Sequence, residues 1–406
     1  MTSRPPSMLT RAEPASVGLD PVRLGAIRDV LEREVAEGRI PGAVVGIARR
    51  GSLAYLEGIG YRDKAANTPM RADAIFSVAS MTKPMTSVAI MLLHEDGRLL
   101  LGDPAAKFLP QLAGMKVAKS PTSETLETVP ADREMTIQDL LRHTSGLTYR
   151  DRGSGAAYKA YPGSSITAAE TYAREPFLIE LAKAPLLYQP GAVWEYGFST
   201  DILGLIVEAI AGQPLGAFLR ERLWQPLGMP DTAFALDEAG RARYARALPN
   251  CPLTGQPQSI HHATGKTMQW ESGGGGAIST VADYLRFAQM LLDGGTLGGV
   301  RILGRKTVEL MRADHLGTGI VNRITTMDPS CHGYGFGLGF AVRREAGVAA
   351  MLGSAGDYYW SGVYGTYFWI DPAEQMATVF MAAAPGQMRL RYRQLMRALV
   401  LQAIVD

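Results

Sequence analysis

Between residues 19 and 38 the apolar positions Leu24, Ile27, Leu31 and Val35 recur every three or four residues, a spacing that gives a helix one sticky face. The run ends near Gly38 and Pro41. GAVVGIARRGSLAYLEGIGY then reads as two β-rich stretches around Arg50, Gly51 and Ser52, which predicts a hairpin. After AIFSVA, Met85, Val88, Ala89 and Leu92 fall at i, i+3, i+4 and i+7, the pattern of a helix packed on one side. Pro84 locates its start. The first four helical N–H groups have no intrahelical partner, so a proline there forfeits no hydrogen bond, whereas deeper inside it would cost roughly 3 kcal/mol. The helix is expected to begin at or just after Ser80.

From about Leu101 to Trp270 the texture changes to loops rich in Pro and Gly, with helical stretches at TIQDLLRH, STDILGLIVEAIAG and LGAFLRERLW. β-Rich segments return in YGFGLGFAVRR, GVAAMLGSAG, VYGTYFWIDP and QMATVFMAAA, followed by a last helix from about Met388 to Ile404. The two chain ends are therefore expected to share one sheet. This predicts an α/β protein of the α+β type, an antiparallel sheet flanked by helices. Residues 1-100 and 270-406 would form the α/β domain, and 101-269 an inserted, mostly helical one. The GGGG at 273 to 276 is too short for a linker and reads as a place of close backbone approach.

Composition narrows the function. A chain of 406 residues that is 47% apolar can bury a large core. Lysine plus arginine (41) nearly balance aspartate plus glutamate (39), and the net charge of +2 gives no electrostatic case for nucleic acid. Cys251 and Cys331 are too few for a disulfide scaffold and lack zinc-site spacing, so they read as free thiols. MTSRPPSMLTRAEPASVGLD holds no apolar core for a signal peptide, and no window approaches the ~20 apolar residues of a spanning helix. A cytoplasmic protein without a membrane partner is expected.

Ser80-Met81-Thr82-Lys83 is the only S-x-x-K in the chain, and its i, i+3 spacing puts hydroxyl and amine on one side of the helix. A serine hydroxyl is a poor nucleophile until a base takes its proton, and a lysine can serve if burial disfavours its charge. The helix N-terminus adds unpaired N–H groups that favour an oxyanion. A capping serine beside a surface lysine would read the same, so the tetrad alone is a weak signal.

Further motifs give it weight: FSVASMTKPMTSVAIMLLHEDGRLLLGDP at 76 to 104, MTIQDLLRHTSGL at 135 to 147, PGAVWEYGFSTDILGLIVE at 190 to 208, SGGGGAISTVADYLRFAQML at 272 to 291 and WSGVYGTYFWIDP at 360 to 372. With these in order, the sequence resembles the class C β-lactamase superfamily and, within it, the family VIII carboxylesterases. The resemblance implies a β-lactamase/transpeptidase-like fold and a tyrosine motif, Tyr-x-Asn, whose phenol shares the proton traffic with the lysine. Tyr196 matches it. Phe198 stands where asparagine is usual, removing an amide that would bind a lactam's amide side chain. The Lys-Thr-Gly element reads Trp360-Ser361-Gly362, so the cation that helps hold a lactam's carboxylate is missing. The esterase branch carries tryptophan there, and Trp360, Phe198 and Gly362 are expected to form the substrate site. The resemblance also assigns the oxyanion hole to the backbone N–H groups of Ser80 and Val363.

The absence of G-x-S-x-G argues against a nucleophile elbow. His143, in RHTSGL, is expected to make a structural hydrogen bond, and the adjacent His261 and His262 lack a metal-binding context. No cofactor or metal is expected. The reading is a serine carboxylesterase for small short-chain esters, acylated on Ser80 with Lys83 and Tyr196 relaying the proton. A β-lactamase or D-amino peptidase, an acyltransferase, or a penicillin-binding protein that acylates without turnover remain open on the same scaffold.

Overall fold

The computed structural model describes residues 9–406, so the first eight residues of the N-terminal stretch considered above lie outside it. Helix α1, Pro21–Ala36, is capped by Asp20, whose carboxylate accepts from the N–H groups of Val22 and Arg23 at 2.8 and 3.2 Å. That satisfies two of the donors a helix start leaves unpaired. Its apolar face, Leu24, Ile27, Leu31 and Val35, is buried as the periodicity predicts, each side chain contributing about 1.5–3 kcal/mol. Strands β1, Gly42–Arg49, and β2, Ser52–Asp63, follow. Arg50 and Gly51, at φ 51° and 74°, are both left-handed, the geometry whose twist suits a two-residue hairpin.

Edge strand β3, Thr68–Pro69, leads to a two-residue strand, Phe76–Ser77, and then to α2, Thr82–Glu95. Helix α3, Ser199–Ala211, packs on α2. Helix α4, Val281–Leu292, precedes strands β4 (Tyr334–Phe336), β5 (Ala341–Arg343), β6 (Tyr358–Ser361), β7 (Thr366–Asp371) and β8 (Met376–Ala382), and α5, Met388–Leu401, completes the order. The eight strands form one antiparallel sheet in the order β4-β5-β6-β7-β8-β1-β2-β3. The two ends of the sequence meet where β1 pairs with β8, from Ala43 opposite Ala382 to Arg49 opposite Met376. None of the eight strands comes from residues 101–269.

Every residue of β1, β7 and β8 is buried, which requires cover on both faces of the sheet. Helices α1 and α5 pack together, and α4 lies along β8, β1 and β7. At Gly46 a side chain would collide with Val281 of α4, so this glycine sets how closely helix and sheet approach. Among the described residues no single helix is long and apolar enough to cross a membrane. Ser199–Ala211 and Leu215–Leu227 match as a pair by length and composition, but are bent at 79°.

One expected β segment is absent. GVAAMLGSAG forms no strand, because Gly347, Gly353 and Gly356 adopt φ 80°, 145° and 84°, left-handed values that end a pleated run. The loop instead delivers Asp357 to a buried site. There Asp357 accepts from Arg343 Nε and Arg397 Nη1, each at 2.7 Å, and from Tyr334 OH at 2.9 Å, tying β4, β5 and α5 together. Two guanidiniums sharing one carboxylate make its removal costly. Asp357→Ala is expected to destabilise the fold by about 3–5 kcal/mol, measurable as a lower urea midpoint, whereas a surface-like change under ~0.5 kcal/mol would contradict this account.

Candidate active site

Ser80 is delivered by a short, strained turn. Phe76–Ser77 pairs with Ile278–Ser279, the Val78 N–H donates to Ala277 O at 3.0 Å, and Ala79 takes a left-handed φ of 45° before one 3₁₀ turn enters α2. A non-glycine residue held in that region costs about 1–3 kcal/mol, so its surroundings must impose it. Thr82 Oγ1 donates to Ala79 O at 2.7 Å and accepts from Ala277 N at 3.0 Å, while Thr366 Oγ1 of β7 donates to Val78 O at 3.1 Å. Gly362 completes the clamp. A Cβ there would overlap Val78 O and Thr366 Oγ1, so Gly362 lets the sheet close on the turn that carries Ser80. Its neighbours Ser361 and Val363 line the cavity, and Gly362 itself lies against the turn.

Lys83 lies one turn along α2, only 2% exposed. Its Nζ donates to Ser80 Oγ at 3.5 Å, Tyr149 OH at 3.3 Å and Gly274 O at 2.5 Å. Tyr196 OH donates to Ser80 Oγ at 2.8 Å. The three side chains read from the sequence thus converge, with Lys83 meeting Tyr196 over the ring, 4.7 Å from its centroid. The RHTSGL segment fixes Tyr196: Glu195 N donates to His143 O at 2.8 Å, Thr148 Oγ1 donates to Tyr196 O at 3.2 Å, and Ser145 Oγ meets Ser199 Oγ at 2.8 Å. His143 itself packs on the Tyr196 ring at 4.9 Å, with Nε2 only 3.5 Å from Thr200 Oγ1 and Nδ1 unpartnered. Burial, and secondarily the charge of Lys83, hold its imidazole well below the usual histidine range. It is a neutral packing element.

Ser80 opens onto a cavity of about 470 Å³, within the range of small-molecule sites. Tyr149, Tyr196, Trp360 and Val363 line it. Trp360, on β6, is buried and packs against Tyr196 and Phe336 with ring centroids at 5.6 and 5.3 Å. Farther from Ser80 in the chain, the wall turns polar with Glu170, His261 and Arg389. Burial pulls the Arg389 guanidinium down to about 10, assisted by the charge of Arg393. Both rings of the His261-His262 pair are engaged. His261 Nδ1 meets Glu170 Oε1 at 2.5 Å, and His262 Nδ1 meets Ser77 Oγ at 2.7 Å.

The Beta-lactamase family matches residues 27–402. The chain belongs to the beta-lactamase family. Within reach of this beta-lactamase-family chain lies an uncharacterized protein of Mycobacterium tuberculosis (strain CDC 1551 / Oshkosh), 36% identical over 357 residues that span 86% of this chain and 87% of that protein. Esterase EstB of Burkholderia gladioli is 31% identical over 386 residues, 91% of this chain and 93% of its own. Among solved structures, EstCE1, described as a hydrolase with promiscuous acyltransferase activity, superimposes with a TM-score of 0.74 at 27% identity, covering 93% of this chain and 98% of that one.

Against the β-lactamase pattern, one substitution acts differently from its expected role. Phe198 is fully buried and outside the cavity. As the residue capping α3 it turns inward, packing edge-on against Tyr149 at 4.9 Å and against Phe177 at 5.2 Å. Its nearest aromatic contact is Tyr149, itself on the cavity wall.

The sequence reading also missed a polar cluster behind Lys83. Tyr149 OH lies 2.6 Å from Ser165 Oγ, Ser165 Oγ donates to Asp201 Oδ2 at 2.6 Å, and Ser272 Oγ and Gly274 N donate to Asp201 Oδ1 at 2.6 and 3.0 Å. Burial pushes the Asp201 carboxyl up, opposed by the charge of Lys83 and by these donors. The available signal was an aspartate at the head of the largely apolar run ILGLIVEAIAG. Gly274 fulfils the close approach read from GGGG. A Cβ there would sit 2.6 Å from Ser165 Oγ and closer still to Asp201. Gly274→Ala is therefore expected to displace the Lys83 acceptor and slow fluorophosphonate labelling of Ser80 by at least ~10-fold, the effect of about 1.4 kcal/mol. Unchanged labelling in the folded variant would show that this packing is not needed.

Proposed function

We propose that this beta-lactamase-family serine hydrolase is a carboxylesterase that cleaves small short-chain esters through an acyl-enzyme on Ser80. The observation that carries the reading is the convergence on Ser80 Oγ of Tyr196 OH at 2.8 Å and Lys83 Nζ at 3.5 Å, at the edge of a cavity where Trp360 replaces the cation a lactam carboxylate needs. An indole offers a broad apolar face and one N–H donor, which suits a neutral acyl group. The resemblance to Esterase EstB supports the same substrate class.

In the proposed cycle, Lys83 and Tyr196 relay the Ser80 hydroxyl proton toward the leaving group as Oγ bonds to the ester carbon. The carbonyl oxygen takes up negative charge against the N–H groups of Ser80 and Val363, donors worth roughly 2.7–4 kcal/mol each in comparable chemistry. Collapse breaks the bond to the alkoxide, which leaves as the alcohol carrying that proton. Water then attacks the acyl-enzyme by the same route, restoring Ser80 and releasing the acid.

Ser80→Ala is expected to retain the fold and lose turnover of p-nitrophenyl acetate; wild-type activity in that variant would refute the assignment. Tyr196→Phe is expected to lower kcat at least ~100-fold, and a loss under about threefold would remove its proton-transfer role. Preference for nitrocefin over the acetate would favour the lactamase reading instead, and diversion of product to an added alcohol would favour acyl transfer.

A further inference from the structure

We infer that a second cleft, floored by Phe234, Leu236 and Trp270 and sharing a rim with the catalytic cavity, binds the alcohol half of the substrate. The substrate class is then short-chain esters of alcohols that carry an extended apolar body. The inference rests on the esterase reading above and deepens it: with a small acyl group at Ser80, whatever extends further belongs to the alcohol.

The second cleft measures about 520 Å³, close to the 470 Å³ beside Ser80, and is of a size that holds small molecules. His261 and Lys266 line both. From Ala263 to Thr267 the shared rim is exposed, so a tail can pass over it from one cleft to the other without crossing the packed core. The rim is held from both sides. His261 Nδ1 meets Glu170 Oε1 of the catalytic wall at 2.5 Å, whereas His262 Nε2 reaches Phe234 O of the second floor at 3.3 Å. Burial, and then the neighbouring His261, brings the His262 imidazole down to about 4, so the ring is neutral. With Nε2 donating to a carbonyl, Nδ1 accepts from Ser77 Oγ at 2.7 Å. The same histidine therefore ties the rim to the segment that leads into Ser80.

The chemistry of the second cleft selects an uncharged, apolar ligand. Its carboxylates are already committed: Glu208 accepts from Leu215 N at 3.0 Å and pairs with Arg174 at 3.5 Å, and Glu271 accepts from Gly216 N at 2.6 Å. A cationic ligand finds no free counter-charge there. Lys266 pairs with Glu170 at 3.5 Å, and Arg241 is exposed, a weak anchor for an anion. What the cleft offers is its floor, where Phe234, Leu236 and Trp270 are buried and Met268 is half-buried. Each methylene fully buried on such a surface raises affinity roughly fourfold, so a tail that lays two or more methylenes on it gains tenfold or better.

The test compares hydrolysis of ethyl acetate and octyl acetate, followed by acid release, in the wild-type chain and in Ala235→Trp and Thr267→Trp. Both positions are exposed, line the second cleft and stay outside the catalytic cavity. The wild-type KM for octyl acetate is expected at least ~10-fold below that for ethyl acetate. Each indole is expected to raise the octyl acetate KM to the ethyl acetate level, while its kcat and both ethyl acetate constants stay within about threefold. If circular dichroism shows that one variant does not fold, the other decides alone. Equal KM values for the two esters in the wild-type chain would overturn the inference. So would a chain-length preference that the indoles leave in place, because the tail would then lie elsewhere. A wild-type Ser80 that takes up a fluorophosphonate while neither acetate releases acid would sink the esterase reading, and this inference with it.

Discussion

A lysine amine at 2% exposure is the demand to which the catalytic half of this molecule is fitted. Burying an amine without partners is costly, so its N–H groups must meet acceptors in a place where water is scarce. The chain supplies those acceptors from separate stretches: the turn holding Ser80, the loop holding Tyr149, and the glycine run ending at Gly276. Any one of them misplaced would leave the amine short of an acceptor. The requirement explains why so much of the packing near the nucleophile is close backbone approach by glycines and short hydroxyl side chains. Larger groups would push the acceptors out of reach.

The sheet makes that fit possible by holding its side still. Strands β6 and β7 carry Trp360 and Thr366 from a fully antiparallel ladder, and Gly362 brings their connecting turn onto the strained residue before Ser80. Across from them, α3 and the RHTSGL segment hold Tyr196 and Asp201. Ser80 stands between two supports, and its left-handed neighbour Ala79 is kept in place by a hydrogen bond from Thr82, whose hydroxyl in turn accepts from Ala277 N.

Much of this was legible in the order of residues. Ser80 and Lys83 announce themselves because a one-turn spacing on a helix is local geometry, and the sheet shared by both ends follows from alternating and apolar runs whose lengths suit strands. Tyr196 was recognisable from its flanking motif. The surroundings of Phe198 and Gly362 were not legible, because adjacency in sequence to Tyr196 or Trp360 says nothing about which way a side chain turns: one faces the core at a helix cap, the other has no side chain and allows a close backbone approach. Tyr149, Ser165 and Asp201 escaped because their association depends on loops folding over one another, which no period in the sequence encodes. GVAAMLGSAG looked like a strand by composition, yet its glycines take conformations a ladder cannot accommodate.

The pairing of Ala43 with Ala382 has a consequence during biosynthesis. Ribosomes extend chains at about 5–20 residues per second, so the first hairpin emerges tens of seconds before its central partner has been made. Throughout that interval β1 is an apolar edge without a neighbour, open to unintended association. The cavity beside Ser80 takes Trp360 from β6, so it too cannot close until that late strand has been made.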